Sequence, residues 1–305
     1  MRTIFSHGIF ILSRHVYFVT AVAFLVLGQT SICSLWANTK SGPATSLREL
    51  IEFALDFNSK NSSDNNFLPP ENVVFLVTKH YYQIQTQVEQ LATAKEIRDH
   101  FQKAVEKSEE IFEQGEGDVS QADITKLKLG LSDTLNNIID LERDIQIAKL
   151  NLGKLTNQEL GPDSDIAKID PIPVDFPYSS FDNYLKAKNL FSPPKKSIDK
   201  VGISSSETYT KNSIRLDEEN RLILHKAYIA VESSKAKVML GKQNRKVTRA
   251  LLITEVANYD FGIGDSQELF EALIIYTRVF SGYLDSIYAL NVAVAELEKL
   301  TNAIY

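Results

Sequence analysis

Two stretches of this chain, Glu71 to Gly161 and Lys195 to Tyr305, contain no proline, and each carries a single Gly-x-Gly-Asp break. Proline inside a helix removes a backbone donor and clashes with the preceding turn, so windows this long and free of it admit very long helices. The glycines mark where each helix turns back, because glycine enters the left-handed conformation at no steric cost. The two breaks read as copies. Gly115-x-Gly117-Asp118 aligns with Gly262-x-Gly264-Asp265, and the same alignment, with a two-residue slip, sets Lys154-Leu155-Thr156-Asn157 on Lys299-Leu300-Thr301-Asn302. An internal duplication accounts for both matches, and a repeat of this kind is one structural unit that buries its apolar face against its copy.

The apolar positions follow helical spacing. Before the first break they run Val77, Tyr81, Ile84, Val88, Leu91, Ala94, Phe101, Val105, Ile111. After it they run Ile124, Leu127, Leu131, Leu135, Ile138, Leu141, Ile145, Ala148, Leu152, Leu155. Steps of three and four are the signature of a heptad seam, in which helix packs against helix with left-handed supercoiling. The second unit repeats the pattern with Leu222, Ile229, Ala236, Leu240, Val247, Leu251 and Ala257 on the way in. On the way out it has Leu269, Leu273, Tyr276, Phe280, Tyr283, Ile287, Leu290, Val294 and Leu297. The expected fold is mainly α: two long antiparallel coiled-coil αα-hairpins, residues 71–157 and 215–305, with arms of roughly 60 Å at 1.5 Å per residue. Small residues gather on the last arm at Ala289, Ala293 and Ala295, where backbones can approach closely.

Between the hairpins, residues 158–214 hold six of the nine prolines and form a connector, with a short helix expected near Phe181 to Asn189. Ahead of the first hairpin, residues 38–70 are expected to contain a short helix capped by Ser46, followed by a polar, mobile Ser59 to Asn66. Residues 1–37 have the layout of a secretory signal: Arg2 and Arg14, the apolar run His15 to Gly28, then small and polar residues to a cleavage point at Ala37. The competing reading, a retained anchor, requires about 20 apolar residues, which this run does not reach. The sole cysteine, Cys33, lies inside this segment, where lipid modification is the lesser alternative, disfavoured by the bulky Ile32 before it.

Several chemistries find no support. The net charge of −6 becomes more negative once Arg2 and Arg14 are removed, which argues against nucleic acid, since phosphate neutralisation needs clustered Lys and Arg. Gly262-x-Gly264 is followed by no Gly-Lys-Ser/Thr and preceded by no strand, so it is no phosphate cradle. His80, His100 and His225 are not paired with ligand residues, and Asp163 and Asp165 lack the remainder of a calcium loop. Glu109, Glu110 and Glu113 read as a solvated helix face. No nucleophile motif is present. The chain is expected to hold no metal and no cofactor and to be no enzyme.

With the duplicated hairpins in view, the sequence resembles the TolC-like outer membrane efflux protein family. The resemblance rests on the export signal, the glycine-centred turns and the closing segment Tyr288-Ala289-Leu290-Asn291-Val292-Ala293-Val294-Ala295-Glu296-Leu297, which is similar to the Tyr-x-x-Asn-x-Ala-x-Ala-x-Leu pattern that ends family members. Asp170 to Lys188 resembles the family's inter-repeat linker. The resemblance implies a homotrimer in the outer membrane whose helices form a periplasmic tunnel exporting small molecules. It also implies that a periplasmic adaptor and an inner-membrane pump meet the tunnel end. The family's tip turns fall on Gly115, Gly117 and Asp118 and on Tyr259, Gly262, Gly264 and Asp265, where the implied role is adaptor docking.

The chain departs from the family at the membrane strands. A barrel strand needs about 9 to 11 alternating residues. Ahead of the first arm there is only the Val73 to Val77 run, and ahead of the second only a weak alternation from Val201 to Ile214. The expectation is a shortened member that keeps the tunnel portion, or one whose barrel is supplied otherwise. The alternative is an exported coiled-coil structural or interaction protein of the same fold without its own pore.

Overall fold

The computed structural model describes residues 46–61, 67–115, 119–160, 166, 170–191 and 214–304. Four long helices dominate: α2 (Pro70–Gln114) and α3 (Gln121–Thr156) make the first hairpin, α5 (Glu218–Asp260) and α6 (Ser266–Asn302) the second. They are preceded by α1 (Leu47–Lys60), and α4 (Phe181–Ala187) lies between the hairpins. The strands among the described residues are a two-residue parallel pair, β1 (Leu190–Phe191) and β2 (Ile214–Arg215).

Local chemistry sets each helix end. Ser46 caps α1, as expected, and the structure adds Glu49 as its reciprocal partner. Pro70 opens α2 at the first helical position, where its missing N–H is no loss. Asp217 begins α5 by accepting from the Asn220 N–H at 2.7 Å. Asn157 ends α3 in the left-handed conformation, φ 52°. The Val73 to Val77 run, weighed as a strand remnant, is the start of α2, with Val73 and Val77 buried against α1. Of the Ser59 to Asn66 stretch expected to be mobile, Ser59 and Lys60 instead continue α1, while residues 62–66, the 201–213 alternation, Glu116 to Asp118, Asp163, Asp165 and the signal segment lie outside the described residues.

Helices α2 and α6 form the middle of the assembly; α3 packs on α2 and touches α6, and α5 packs on α6. The chain direction therefore alternates at every step across α3, α2, α6 and α5. In the tip half one core draws on all four arms, with Phe101, Leu127, Leu252, Leu273 and Phe280 among its buried members. Away from the tips the hairpins have separate cores. The first closes over α1 through Leu50, Val77 and Leu152; the second closes over the proline-rich connector through Phe176, Tyr184, Leu224 and Leu297. Asn291 holds that connector, accepting from the Val174 N–H at 2.8 Å and donating to the Ile172 carbonyl at 3.0 Å.

The seam expected on α6 is the buried one, and most of that on α3 is too, with Thr134 replacing the exposed Leu135. On α2, Val88 is also exposed. On α5 the expectation was wrong. Leu222, Ile229, Leu240, Val247 and Leu251 are all exposed, and the buried row is instead Leu224, Val231, Val238, Leu252 and Tyr259, joined by Tyr228 and Thr248. The helix carries two heptad rows, and the stronger-looking one faces away from the core.

Candidate functional site

Both hairpin turns rest on one left-handed glycine followed by a polar cap. Gly115 adopts φ 66° and Gly262 φ 74°, and neither has a neighbour within 4 Å of where a Cβ would stand, so conformation alone demands glycine there. Gly264 is glycine for a different reason: a Cβ would lie 2.8 Å from the Asn258 Cβ. Its N–H and that of Ile263 both donate to the Asn258 carbonyl, at 3.1 and 3.0 Å, and this tucks the turn against the end of α5. Asp265 then caps α6, accepting from the Glu268 N–H at 2.7 Å.

In the first hairpin the cap is Ser120, which accepts from the Asp123 N–H while the Asp123 carboxylate accepts from the Ser120 N–H. The Ser120 hydroxyl, and then its N–H, hold the Asp123 carboxyl below its ordinary range. Asp118, paired with Asp265 in the sequence alignment, is therefore not the counterpart of that cap; Ser120 is. The first turn is longer, Gly115 to Ser120 against Gly262 to Asp265, which accounts for the two-residue slip in the duplication. Gly117 and Asp118 themselves lie outside the described residues.

Tyr259 is not a surface residue. It is buried, its hydroxyl donates to the Ala104 carbonyl at 3.1 Å and shares a hydrogen bond with the Ser108 hydroxyl at 2.7 Å. Burial pushes its phenol pKa up, against the smaller opposing effect of Ser108. Lys107 completes the tie: its ammonium donates to the Tyr259 and Asp260 carbonyls at 2.6 and 3.0 Å and lies 4.9 Å from the Tyr259 ring centre. A cation at the last carbonyls of α5 is favoured by the helix dipole. Tyr259 thus positions the tip, and the side chains presented outward are Phe261 and Ile263, 80% and 78% exposed. A cavity of about 610 Å³ lies between the two tips, lined by Lys107, Ile111, Val119, Asp123 and the Gly262 to Glu268 turn. Phe261 and Ile263 were legible as apolar residues alternating with the glycines of the break; the Lys107 tether, distant in sequence, was not.

Two of the histidines serve packing and local polar contacts. His225 stacks on Phe181 with centroids 4.5 Å apart, and His80 Nδ1 lies 3.4 Å from the Gln83 side-chain oxygen. Glu109 pairs with Lys128 at 2.6 Å, bracing the first hairpin. No described helix is long and apolar enough to cross a membrane.

This arrangement is the TolC-like outer membrane efflux fold. The chain is similar to the outer-membrane channel OprN, with a TM-score of 0.55 and 12% identity over 84% of this chain and 70% of that one. It is similar to the same extent to CusC, known from structures that concern folding and transmembrane channel formation, with a TM-score of 0.54 and 12% identity over 84% of this chain and 74% of that one. No family model matches the sequence, and no curated protein does.

Proposed function

We propose that the protein is the helical conduit of an outer membrane efflux system, exported to the periplasm and outer membrane and working as a homotrimer. The observation that carries this reading is the open helical array, whose two outermost helices each turn an apolar row to solvent. Leu222, Ile229, Leu240 and Val247 do so on α5, Leu129, Ile139, Ile147 and Leu150 on α3. Soluble monomers rarely leave contiguous apolar rows uncovered. In a conduit, such rows meet neighbouring copies and the helices line the passage. The exposed Phe261 and Ile263 give a periplasmic adaptor an apolar foothold at the tip, and the adaptor links the conduit to an inner-membrane pump. The role is transport of small molecules.

The test is complementation of a host that has a pump and adaptor but lacks its outer membrane channel. The wild-type chain is expected to restore drug resistance and to stay with the outer membrane after a carbonate wash. The Gly262→Val/Gly264→Val variant is expected to keep most helicity and lose resistance. Release by carbonate as a soluble helical species, or resistance indifferent to the tip substitutions, would transfer the assignment to an exported coiled-coil interaction protein without its own pore.

A further inference from the structure

The end of the first hairpin opposite its tip is closed in a way that bears on the membrane. Helix α1 stops at Lys60 and α2 starts at Pro70, so the link between them is residues 61–69. A pair of membrane strands takes about 18 to 22 residues; this link amounts to at most one strand, and Pro69 is already placed as the α2 cap. The link is also pinned at its base. Asn58 Nδ2 donates to the Leu68 carbonyl at 2.8 Å, and the Leu68 N–H donates to Asn58 Oδ1 at 3.2 Å. This end of the hairpin therefore meets a bilayer at its surface and sends no strand pair through it.

What the pinned link presents is apolar. Phe53 and Phe67 are 46% and 48% exposed, and Phe53 lies one turn before Phe57 on the same side of α1. Phe57 and Leu68 in turn line a cavity of about 450 Å³ together with Val73, Leu155 and Lys154, the last an exposed cation in the final turn of α3. Four of the exposed charges of α1 are paired with one another, Arg48 with Glu52 at 2.9 Å and Lys60 with Asp56 at 2.6 Å. Covering the rings thus leaves none of these four without a partner.

Building on the conduit reading, we infer that this end is a phospholipid-contact site. Phe53 and Phe67 enter the acyl boundary of the periplasmic leaflet of the outer membrane, one acyl chain occupies the cavity, and the Lys154 ammonium meets the phosphate of that lipid. The chemistry selects lipid over a protein segment. An apolar cavity with a single cation on its lining fits a long apolar tail that carries an anionic head, and apolar burial plus attraction to anionic lipid sets the strength of such interfacial contacts. A helix of another protein laid along the hairpin needs a long apolar row, whereas this patch is confined to the α1–α2 link.

The test uses the full-length exported protein with Cys33→Ser, so that the chain carries no acyl group of its own, and vesicles of phosphatidylethanolamine and phosphatidylglycerol, read by flotation. The parent chain is expected to float with the vesicles. Phe53→Ser/Phe67→Ser is expected to lower the partition coefficient at least about tenfold, and Phe53→Leu/Phe67→Leu, which keeps most of the apolar volume, to retain most of it. Lys154→Ala is expected to lower it about fivefold. Phe261→Ser/Ile263→Ser, which removes exposed apolar side chains from the opposite end, is expected to leave flotation unchanged and to lose drug resistance. In a Trp36→Phe/Phe67→Trp chain the one tryptophan stands at the patch. Its emission is expected to shift to the blue on vesicles and to be quenched by lipids brominated on their acyl chains. Flotation that the Phe53 and Phe67 substitutions leave intact, or that the tip substitutions reduce equally, would overturn the inference, as would emission that vesicles do not move. Resistance restored by a chain that binds no vesicles would overturn it and leave the conduit reading standing. Vesicle binding with no resistance restored would keep the lipid site and overturn the conduit reading.

Discussion

Helices α3 and α5 hold equivalent outer places, yet their most regular apolar rows point opposite ways. On α3 the row Ile124, Leu127, Ile138, Leu141, Ile145, Ala148 and Leu152 is buried inside the chain, while Leu129, Ile139 and Leu150 face out. On α5 the regular row Leu222, Ile229, Leu240 and Val247 faces out. The core takes a row that contains Arg245, whose guanidinium lies over the Phe280 and Tyr283 rings at 4.9 and 5.6 Å. A heptad row states that a helix will meet another helix; it does not state which one. Where two such rows coexist, the chain's own helices claim the row that connectivity presents to them, and the other stays exposed.

The sharpest way to break this comparison is to truncate one residue of each row on α5. Under conditions that keep the chain as single copies, Leu252→Ala is expected to lower unfolding stability by about 2–5 kcal/mol, because it opens a hole in the four-helix core. Leu240→Ala, at 58% exposure, is expected to change it by less than about 0.5 kcal/mol. Urea unfolding of both variants decides, and equal losses would mean that both rows are internal.

Next in size is Tyr259→Phe. It takes from the buried Ser108 hydroxyl its hydrogen-bond partner and from the Ala104 carbonyl a second donor beyond the helix, at an expected cost of about 1–3 kcal/mol and with faster hydrogen exchange at the second tip than at the first. Ser120→Ala tests the opposite hairpin, where the turn depends on a cap instead of a tether. The expected loss is about 1 kcal/mol. Its pH dependence has a definite sign. The Asp123 carboxyl titrates below its ordinary value, so its stabilisation is complete above the ordinary carboxylate range and disappears as pH falls through the lowered value. Because Asp123 sits in the first turn of α3 and stays partly accessible to solvent, only a slight shift of the acid midpoint toward neutrality is expected in Ser120→Ala, measured by circular dichroism.

The smallest effect is expected at Glu89, which α2 presents toward Arg245. Burial first, then Asp170, raises its pKa, with Arg245 opposing. The folded state holds that proton more tightly, so stability falls as pH rises from the ordinary glutamate value through the raised one. Glu89→Gln is expected to remove this slope, which urea midpoints on either side of the window would show.

Much of the fold was legible because helices of this length are specified by local signals. Proline placement, glycine breaks, the Ser46 cap and the three-four spacing each act within a turn or two of chain, and all four long helices follow them. The α6 seam was readable as well, since its apolar row is the only strong one on that helix. The tip was half legible: Gly115 and Gly262 act through backbone conformation, which a sequence displays. Tyr259 acts through contacts with Ala104, Ser108 and Lys107, which lie more than a hundred residues away.

The sequence by itself determined the duplicated hairpins, their length and their turning points, because those depend on interactions between residues three or four apart. Only the tertiary structure decided which face of α5 is the core, that Ser120 is the counterpart of Asp265, and that Tyr259 is buried while Phe261 and Ile263 are presented. Those outcomes depend on which surfaces compete for one limited buried volume, and that competition takes place between segments far apart in the chain.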